Sequence, residues 1–597
     1  MIVPALYQRQ RTRGFLTEAD LRAVAEQLGE PLYRVQQVVS FFPHFRTKPP
    51  PAVEVLVCRD LSCQLRGSRD ICRALQARAS AADSPTGVHV REVSCLGRCD
   101  RAPAVLINEQ LFVSRTADNL REAVEAFARG GSLPADRDQD TADKFSPAWQ
   151  IDPYPGAPTY SAVEQYLRDP QPEHVIKALE TAGLLGMGGA GGRTYLKWSD
   201  VLQAEGSPKY VVCNGDESEP GTFKDRDILL AKPHLVVEGM ILGGLVTGAE
   251  RGFVYIRHEY HEQIERLEAT IGEAYRRGVC GPSVLGSGRR FDLEVFVSPG
   301  GYICGEQTAL IEAIESKRAE PRNRPPELQT NGLFDKPTLL SNVETFAWVP
   351  AILLRGLEGG DNAAVPPSSQ GSAPSEWGKW FRQAGRKAAG RRMFSIAGDL
   401  ARPGVYEVPC GILLGELIDD YCGGMRDGLA LQAVALSGPS GGFLPANVPA
   451  SAFKAEGLAK YLPGSGSMID VRKLPLDVAA SRAIGFMLGA GLTIYAVDAD
   501  MLAQTIATSE FYKSESCGKC VPCRIGSQKI YDLALRIGSS KPMAAAELQA
   551  SRMVVNLLGG TMETTSICGL GQVASNALRS YLRYFASDVS RDLDATR

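Results

Sequence analysis

The sequence lacks the features that mark membrane, exported and nucleic-acid-binding proteins. No apolar run approaches the ~20 residues that span a bilayer, and the formal net charge is only −3. So small a charge creates no global field that would attract nucleic acid or an anionic membrane. The N-terminal stretch MIVPALYQRQRTRG has no apolar signal core. We therefore expect a cytoplasmic protein with no direct membrane insertion and no nucleic-acid partner.

The composition also excludes the collagen, coiled-coil and disordered classes, because 44% apolar and 22% charged residues are ordinary for a globular protein. No repeat recurs with a period of 20–50 residues. At roughly 100–200 residues per domain, 597 residues predict about three to five domains. The unusual feature is the presence of fourteen cysteines. In a reducing compartment these are expected to be thiols or metal ligands rather than disulfides.

Patterning along the chain predicts a small α/β unit behind two short helices. Thr17 is a plausible N-cap for a helix over 17–28, and Pro31 suits the first position of a second helix that runs to Phe42. The unit itself is predicted from strands at 53–58 and 88–95, helices at 68–80 and 117–129, and a hairpin at 104–113.

The rest of the chain divides by composition. Polar, Pro-rich residues 131–160 are interpreted as a linker, and strands alternate with helical stretches from about 172 to 355, which predicts a layered α/β domain. Residues 357–376 form a second predicted linker or long loop. A β-rich unit is expected at about 392–470, and a mostly helical region over 478–597.

The strongest motif is Cys517-x-x-Cys520-x-x-Cys523, with Cys568 further along the chain. Three thiolates at this spacing and one distant cysteine are typical of a [4Fe–4S] cluster. Zinc is the alternative, but zinc sites usually combine two CxxC pairs rather than a triplet and a single cysteine. We therefore predict a cubane cluster.

A second set pairs Cys58 with Cys63 and Cys95 with Cys99, each pair lying just beyond a predicted strand. Two thiolate pairs on adjacent loops suit a [2Fe–2S] cluster, with zinc again the alternative. The other six cysteines show no ligand spacing and are expected to be small buried hydrophobes: Cys72, Cys213, Cys280, Cys304, Cys410 and Cys422.

A glycine-rich loop at 186–192 matches the letters of a dinucleotide-binding turn, but the residues before it look helical rather than extended. Such a loop still presents N–H groups to a phosphate, with Lys197 close behind. The alternative is a flexible turn between domains. Four carboxylates follow within ten residues: Asp216, Glu217, Glu219 and Asp225. They suit a solvated face, a cation site, or hydrogen bonds to a polar ring and a ribityl chain.

These blocks together resemble one family, the flavin-binding subunit of respiratory complex I and the diaphorase subunits of soluble formate dehydrogenases and NAD-reducing hydrogenases. The motifs that carry the resemblance are 186–198, 214–225, 301–306, Lys336-Pro-Thr with 342–345, the cysteine triplet, and 566–571. Residues 15–130 resemble the companion thioredoxin-like [2Fe–2S] subunit. The fusion and the segments 421–424 and 438–442 look most like the beta subunits of molybdenum- or tungsten-dependent formate dehydrogenases.

The resemblance implies a multidomain α/β fold. Its expected modules are a helical segment (1–48), a thioredoxin-like [2Fe–2S] domain (49–135), a Rossmann-like domain for FMN and the nicotinamide nucleotide (136–378), a ubiquitin-like β-grasp domain (379–475) and a helical bundle with [4Fe–4S] (476–597). It implies that Glu219 lies near the nicotinamide. It also implies that FMN is held by Gly186, Gly188, Gly189, Gly191, Lys197, Asn214, Asp216, Glu217, Tyr302, Gly305, Glu306 and Asn342.

The implied function is electron transfer. A diaphorase subunit would pass electrons between a partner's molybdenum or tungsten pterin site, the [4Fe–4S] cluster, FMN and NAD, and the expected partner is a catalytic alpha subunit that carries the pterin and further clusters. The alternatives are the diaphorase of a hydrogenase and an electron-wiring subunit whose nucleotide site has decayed. No acid/base triad is present or required.

Three departures from the family pattern fall in the presumed nucleotide pocket. The chain reads Gly192-Arg193-Thr194-Tyr195 where the family reads GAGFPTG, Glu306-Gln307 where it has paired glutamates, and 325–328 as PPEL where it has PPFP. Loss of one negative charge and gain of a positive one favour a 2′-phosphate. We therefore expect NADP to be accepted better than by relatives, unless aromatics such as Tyr195 or Phe334 preserve NAD specificity.

Overall fold

The computed structural model describes residues 1–80, 87–355, 376–386, 388–539 and 543–586. The second predicted linker, apart from Glu376, lies outside these ranges. Among the described residues, no single helix is long and apolar enough to cross a membrane. The helices Lys224–Ala231 and Pro233–Thr247 reach that length and composition only as a pair bent by 93°.

Three helices open the chain, and the first was not predicted: α1 Ile2–Arg13, α2 Glu18–Leu28 and α3 Leu32–Phe41. Thr17 caps α2 as expected, because its hydroxyl accepts from the N–H of Asp20 while the Asp20 carboxylate accepts from the N–H of Thr17. Pro31 is the N-cap of α3 rather than its first residue.

The next unit has the thioredoxin-like arrangement that was predicted. Its sheet has the strand order β2-β1-β3-β4, with β1 and β2 parallel and a β3–β4 hairpin. Its elements are β1 Val53–Cys58, α4 Leu61–Leu65, α5 Ser68–Ala79, β2 Val88–Val93, β3 Ala104–Ile107, β4 Gln110–Val113 and α6 Ala117–Ala128.

The interpretation of residues 131–160 as a linker is wrong. This segment forms helix α7 (Gln139–Phe145) and buries Trp149, Ile151 and Tyr154. The Tyr154 hydroxyl donates to the carboxylate of Glu238, which is fully buried on the helix Pro233–Thr247. The polar composition of 131–160 gave no sign that Trp149 and Tyr154 pack this segment into the main hydrophobic core.

The domain predicted to bind FMN (136–378), called the flavin domain below, is built on a parallel sheet of order β7-β6-β5-β8. Buried helices α12 and α16 pack against one another beside it, as expected for a parallel sheet covered by helices. Its elements are α8 Ser161–Arg168, α9 Pro172–Ala182, α10 Thr194–Gln203, β5 Tyr210–Gly215, α11 Lys224–Ala231, α12 Pro233–Thr247, β6 Arg251–Arg257, α13 His261–Arg276, β7 Asp292–Ser298, α14 Gln307–Ile314, α15 Leu328–Asn331, β8 Thr338–Asn342, α16 Val343–Leu354 and α17 Lys379–Gln383.

The β-rich unit has the β-grasp strand order. In its sheet, β10-β9-β15-β11-β12, the first and last long strands β9 and β15 run parallel, while hairpins flank them. Strand β15 lies beyond residue 475, so the sheet extends past the predicted end of this unit. The elements are β9 Arg391–Gly398, β10 Gly404–Pro409, α18 Leu414–Glu416, β11 Leu431–Pro439, β12 Leu444–Pro445, β13 Asn447–Pro449, α19 Ala455–Tyr461, β14 Met468–Asp470, α20 Val478–Ile484 and β15 Gly491–Ala496.

The C-terminal region is helical, as predicted. Helix α21 packs on α22 and α25, and α23 packs on α22, α24 and α25. The helices are α21 Met501–Glu515, α22 Val521–Ile537, α23 Ala545–Thr565, α24 Gly569–Val573 and α25 Asn576–Tyr584.

Buried ion pairs join the thioredoxin-like and flavin domains. The Arg226 guanidinium at the start of α11 donates to both carboxylate oxygens of Asp100, at 2.9 and 3.0 Å, and to the carbonyl of Gly97 at 2.9 Å. Arg98 donates to Asp138 at 2.6 Å. All four charged side chains are almost completely buried, so each depends on its partner for solvation.

We predict that Asp100→Ala loosens this junction. The change leaves Arg226 buried with only part of its charge compensated, and breaking a buried pair typically costs about 3–5 kcal/mol. Limited proteolysis between the two domains should accelerate and the thermal midpoint should fall. The control is Glu294→Ala, which breaks an exposed pair with Arg251 and should change little. Equal behaviour of the two variants would contradict the role given to Asp100.

Candidate flavin and iron–sulfur sites

The glycine loop lies between two helices, α9 and α10, rather than after a strand. Hydrogen bonds hold its backbone in place. Within the loop, the N–H of Gly186 donates to the Gly192 carbonyl at 2.7 Å, and from the loop to α16 the N–H of Met187 donates to the Thr345 hydroxyl at 2.9 Å. Arg482 of α20 donates to the Ala190 carbonyl at 2.5 Å. The loop is therefore fixed by the flavin domain on one side and by the β-grasp unit on the other.

The predicted glycines allow a close approach to the sheet. A Cβ atom on Gly188 would lie 3.2 Å from Cβ of Asn342, and one on Gly191 would lie 2.9 Å from a methyl of Val478. Within the described chain, the N–H groups of Gly188, Gly189 and Gly191 have no protein acceptor. They are available for the phosphate oxygens of a bound nucleotide.

Two asparagines mark the carboxyl ends of adjacent parallel strands. Asn214 on β5 and Asn342 on β8 are direct cross-strand neighbours. The Asn214 amide donates to the carbonyl of Gly305 at 2.9 Å, and the Asn342 amide donates to Asp225 at 2.6 Å. This edge of a parallel sheet is where such folds bind nucleotides.

Asp216 carries a carboxylate oxygen that needs a donor. Its Oδ2 accepts from the Ser218 hydroxyl at 3.0 Å, whereas its Oδ1 is buried without a partner in the described chain. Burial raises the pKa of this carboxyl to about 7. A hydroxyl or ring N–H of a bound flavin would satisfy the orphaned oxygen, so the residues present fit FMN.

Glu217 has other partners. Its two oxygens accept from the N–H groups of Asp225 and Arg226, at 2.9 and 3.0 Å, and from the Tyr260 hydroxyl at 3.2 Å. Glu217 therefore fixes the first turn of α11. That Glu217 also supports flavin binding, by holding the loop that carries Asp216, stays a prediction.

Glu219 meets a loop that sequence reasoning did not place in the site. The Ser440 hydroxyl, from the β11–β12 loop of the β-grasp unit, donates to Glu219 and accepts from the Tyr512 hydroxyl at 3.2 Å. Burial raises the pKa of Glu219 to about 7. In the sequence, segment 438–442 was used only for its family resemblance, and the fold shows what this segment contacts.

The nucleotide-pocket residues cluster around α14. The Glu306 carboxylate caps this helix by accepting from Thr308 and Ala309 and also accepts from Arg324 at 3.0 Å. The Lys197 ammonium lies 3.5 Å from the side-chain oxygen of Gln307. Burial, and then the charge of Arg324, lower the pKa of Lys197 to about 8.

The four predicted cubane ligands surround one small cavity, together with Ile303 and Pro321. Cys520 is the N-cap of α22 and Cys568 is the N-cap of α24, so both helix N-termini point at the thiols and favour the negative charge of a bound cluster. Burial raises the pKa of Cys523 to about 11 and that of Cys568 to about 12. The set of donors fits a [4Fe–4S] cluster.

The second cysteine set is fully buried. Cys95 and Cys99 lie 3.4 Å apart at their sulfur atoms, and Cys58 and Cys63 are buried with them at the end of β1 and in α4. The N–H of Gly97 donates to Cys95, and the N–H of Gly221 donates to Cys99, each at 3.3 Å. Gly221 belongs to the loop that carries the four carboxylates (216–225), called the acidic loop below. A hydrogen bond therefore connects the predicted flavin site with the predicted [2Fe–2S] site.

Glu515 links all three sites, and sequence reasoning missed it. Its carboxylate accepts from the hydroxyl of Ser94, which precedes the predicted ligand Cys95, at 2.5 Å, and from the N–H of Tyr302 at 2.9 Å. It also lies two residues before Cys517. A glutamate at a helix end gives no local signal for such a role.

Three family models match successive parts of the chain. The thioredoxin-like [2Fe–2S] ferredoxin matches residues 1–128, the Nuo51 FMN-binding domain matches 179–351, and the NADH-ubiquinone oxidoreductase-F iron–sulfur binding region matches 503–592. These matches favour iron–sulfur clusters over zinc at both cysteine sets.

Whole proteins agree with these matches. The F 2 subunit of NADH-quinone oxidoreductase of Rhizobium meliloti is 34% identical over 440 residues, 73% of this chain and 93% of the relative. The NADP-reducing hydrogenase subunit HndC of Solidesulfovibrio fructosivorans is 37% identical over 426 residues, 71% and 76% of the two chains. A chain in the crystal structure of an H2-reduced NAD+-reducing [NiFe]-hydrogenase superposes with a TM-score of 0.77 at 26% identity, covering 98% of this chain and 92% of that one.

Fold, site and relatives define an NAD(H)-dependent oxidoreductase subunit of the diaphorase type, with FMN, [2Fe–2S] and [4Fe–4S] domains. The chain belongs to the family of the NADH-quinone oxidoreductase F subunits, with a thioredoxin-like ferredoxin domain in the same polypeptide.

Cys520→Ala is expected to remove the [4Fe–4S] signal and spare the [2Fe–2S] signal, because the two ligand sets share no residue. The purified chain should hold about six iron atoms and one FMN, and the variant about two iron atoms. Electron paramagnetic resonance of the reduced protein and iron analysis check this. Loss of both signals, or zinc without acid-labile sulfide, would contradict the assignment.

Glu217→Ala is expected to weaken FMN retention about ten- to a hundredfold. The change leaves the buried N–H groups of Asp225 and Arg226 unpaired, at a typical cost of ~1–3 kcal/mol, and so releases the loop that carries Asp216. FMN fluorescence released on dilution measures the effect. Glu217→Gln, which keeps one acceptor oxygen, should lie between wild type and Ala; retention that is equal in all three proteins would refute the role.

Proposed function

We propose that this chain is the diaphorase subunit of a formate dehydrogenase and exchanges electrons between NAD(P) and a catalytic subunit that carries a molybdenum or tungsten pterin. The observation that carries the electron-transfer role is the position of Glu515, whose carboxylate contacts the loops of the [2Fe–2S] and flavin sites and whose helix leads into the [4Fe–4S] ligands. A subunit that wires a nucleotide site to a partner needs these sites at fixed separations.

FMN, when bound, supplies the exchange between two-electron hydride chemistry and one-electron transfer. The residues of the chain prepare its site. The glycine loop would orient the phosphate, Asp216 would accept from the flavin, and the Glu219–Ser440 pair would close the pocket over the nicotinamide side. These residues therefore act as positioning groups, and the proposed electron transfer requires no acid/base pair.

A formate dehydrogenase partner is supported by the fused ferredoxin domain and by segments 421–424 and 438–442, which resemble the beta subunits of such enzymes. A hydrogenase partner is the second candidate, favoured by the superposition over 98% of this chain on a chain of an NAD+-reducing [NiFe]-hydrogenase structure. The chain itself would carry out neither formate oxidation nor hydrogen oxidation.

Purification of the native complex tests the proposal. We expect formate-dependent reduction of NAD(P), a co-purifying large subunit, and molybdenum or tungsten by metal analysis. Hydrogen-dependent reduction with nickel in the large subunit would establish the second candidate instead. The isolated chain should oxidise NADH with ferricyanide, and an FMN-loaded chain that oxidises neither NADH nor NADPH would refute the diaphorase role.

We also predict relaxed discrimination between NAD and NADP. Gln307 is neutral and lies beside Lys197, so this part of the pocket does not repel a 2′-phosphate, whereas a carboxylate there would. Gln307→Glu should lower the NADP-to-NAD ratio of kcat/KM by about tenfold. The matched control is Gln203→Glu, at the far end of α10. A strong preference for NAD in wild type that Gln307→Glu leaves unchanged would refute the electrostatic argument.

A further inference from the structure

A cavity of about 740 Å³ lies between the β-grasp unit and the C-terminal helices, apart from the flavin and cluster sites. Its size is within the range of small-molecule sites, about 300–1,000 Å³. Its described lining includes three arginines, Arg552, Arg579 and Arg583, and no acidic residue. The positive charge of this lining therefore favours binding of an anion.

Two of these arginines lack a carboxylate partner within the described residues. The Nε of Arg552 is buried and has no hydrogen-bond acceptor, and Arg583 only stacks over the ring of Tyr584 at 5.1 Å. Arg579 makes one pair, at 3.3 Å, with the exposed Glu563. Guanidinium groups with unused donors bind phosphate oxygens bidentately.

Aromatic rings line the same cavity. Phe453 and Phe486 meet edge to face with centroids 6.5 Å apart, and Tyr584 lies on the helix side. Such rings stack on a flat heterocycle. Arginines and rings in one cavity fit a ligand that combines a phosphate group with an aromatic base.

The wall of the cavity continues into the flavin site through the β11–β12 loop. Gly441 and Gly442 line the cavity, and the preceding Ser440 donates to Glu219. Asn576, another lining residue, donates to the Ser440 carbonyl at 2.8 Å. Gly442 has a φ of +66°, and a Cβ there would lie 2.7 Å from the carbonyl oxygen of Asn576, so the loop is closely fitted to the helix.

A second connection runs through α20. Residues 485–487, which line the cavity, directly follow this helix. Arg482 of α20 donates to the Ala190 carbonyl in the glycine loop, and a Cβ atom on Gly191 would lie 2.9 Å from a methyl of Val478. Two separate elements thus extend from the cavity wall to the two loops of the flavin site.

We propose that this cavity is an effector site for a nucleoside diphosphate, and that its occupation changes the position of Ser440 and Arg482 and with it the kinetics of the diaphorase site. Arg552 and Arg583 bind the phosphates, and Phe453 and Phe486 hold the base. The site is distinct from the nicotinamide nucleotide pocket and does not require the catalytic partner.

Equilibrium dialysis of the complete FMN- and cluster-loaded chain with ADP tests the binding, with saturating NAD+ present to fill the substrate pocket. We expect one ADP per chain, with adenosine and inorganic phosphate each binding at least about tenfold more weakly. The Arg552→Gln/Arg583→Gln variant should lose at least about tenfold in ADP affinity. Arg536→Gln, an exposed change on α22 outside the cavity, should bind like wild type.

Phe486→Ala provides a second variant that keeps the charges. It should weaken ADP and leave phosphate binding unchanged. Unchanged flavin and cluster absorbance verifies that each variant is folded. Complete displacement of ADP by NAD+, or equal ADP affinity of the double arginine variant and wild type, would overturn the proposal.

Kinetics test the coupling. In NADH:ferricyanide assays, ADP should change KM or kcat at least about twofold more in wild type than in the double arginine variant, and the two should be alike without ADP. Competition at the substrate pocket would act equally on both, so the difference isolates the cavity. ADP binding that leaves this difference at zero would overturn the effector role.

Discussion

The buried ion pair between Arg226 and Asp100 holds the [2Fe–2S] domain against the flavin domain. Arg226 belongs to the flavin domain and Asp100 follows Cys99, the last predicted [2Fe–2S] ligand, so the pair joins the predicted cluster loop to the start of α11. The same guanidinium contacts the Gly97 carbonyl inside the cluster loop. Because both charges are buried, the domains cannot separate without exposing or stranding them. The junction is therefore a fixed part of the fold.

Further hydrogen bonds across this junction connect the loops of the predicted [2Fe–2S], flavin and [4Fe–4S] sites. Arg257 donates to the carbonyls of Glu217 and Cys95, at 2.7 Å in both cases, and thereby connects the acidic loop to a predicted cluster ligand. Glu515 adds the [4Fe–4S] side of the molecule. Electron transfer falls steeply with distance, so a rigid set of shared contacts suits a protein whose task is to hold cofactors apart by constant amounts.

The sequence was informative where the chemistry is local. Cysteine spacing predicted both clusters, and Thr17 as an N-cap predicted α2, because each depends on residues close together in the chain. It failed where partners are distant. The segment 131–160 was interpreted as a linker from its polar, Pro-rich composition, since the contact of Tyr154 with Glu238 forms only in the folded core. The carboxylates of 216–225 left several kinds of site open, and only the family resemblance predicted a flavin loop. Their surroundings differ: Asp216 has an oxygen without a partner in the described chain, whereas Glu217 accepts from the first turn of α11.

The β-grasp unit shows why such long-range roles escape sequence patterns. Ser440 belongs to segment 438–442, which resembles a family segment, and Arg482 lies in a short helix outside any motif, but neither position indicates by itself what the side chain contacts. The fold places one against Glu219 and the other against the glycine loop. A Cβ on Gly438 would lie 2.6 Å from the carbonyl of Pro220, so only glycine allows this approach. A unit that supplies none of the predicted redox ligands thus contacts both the acidic loop and the glycine loop, and these contacts are the connection on which the proposed effector role depends.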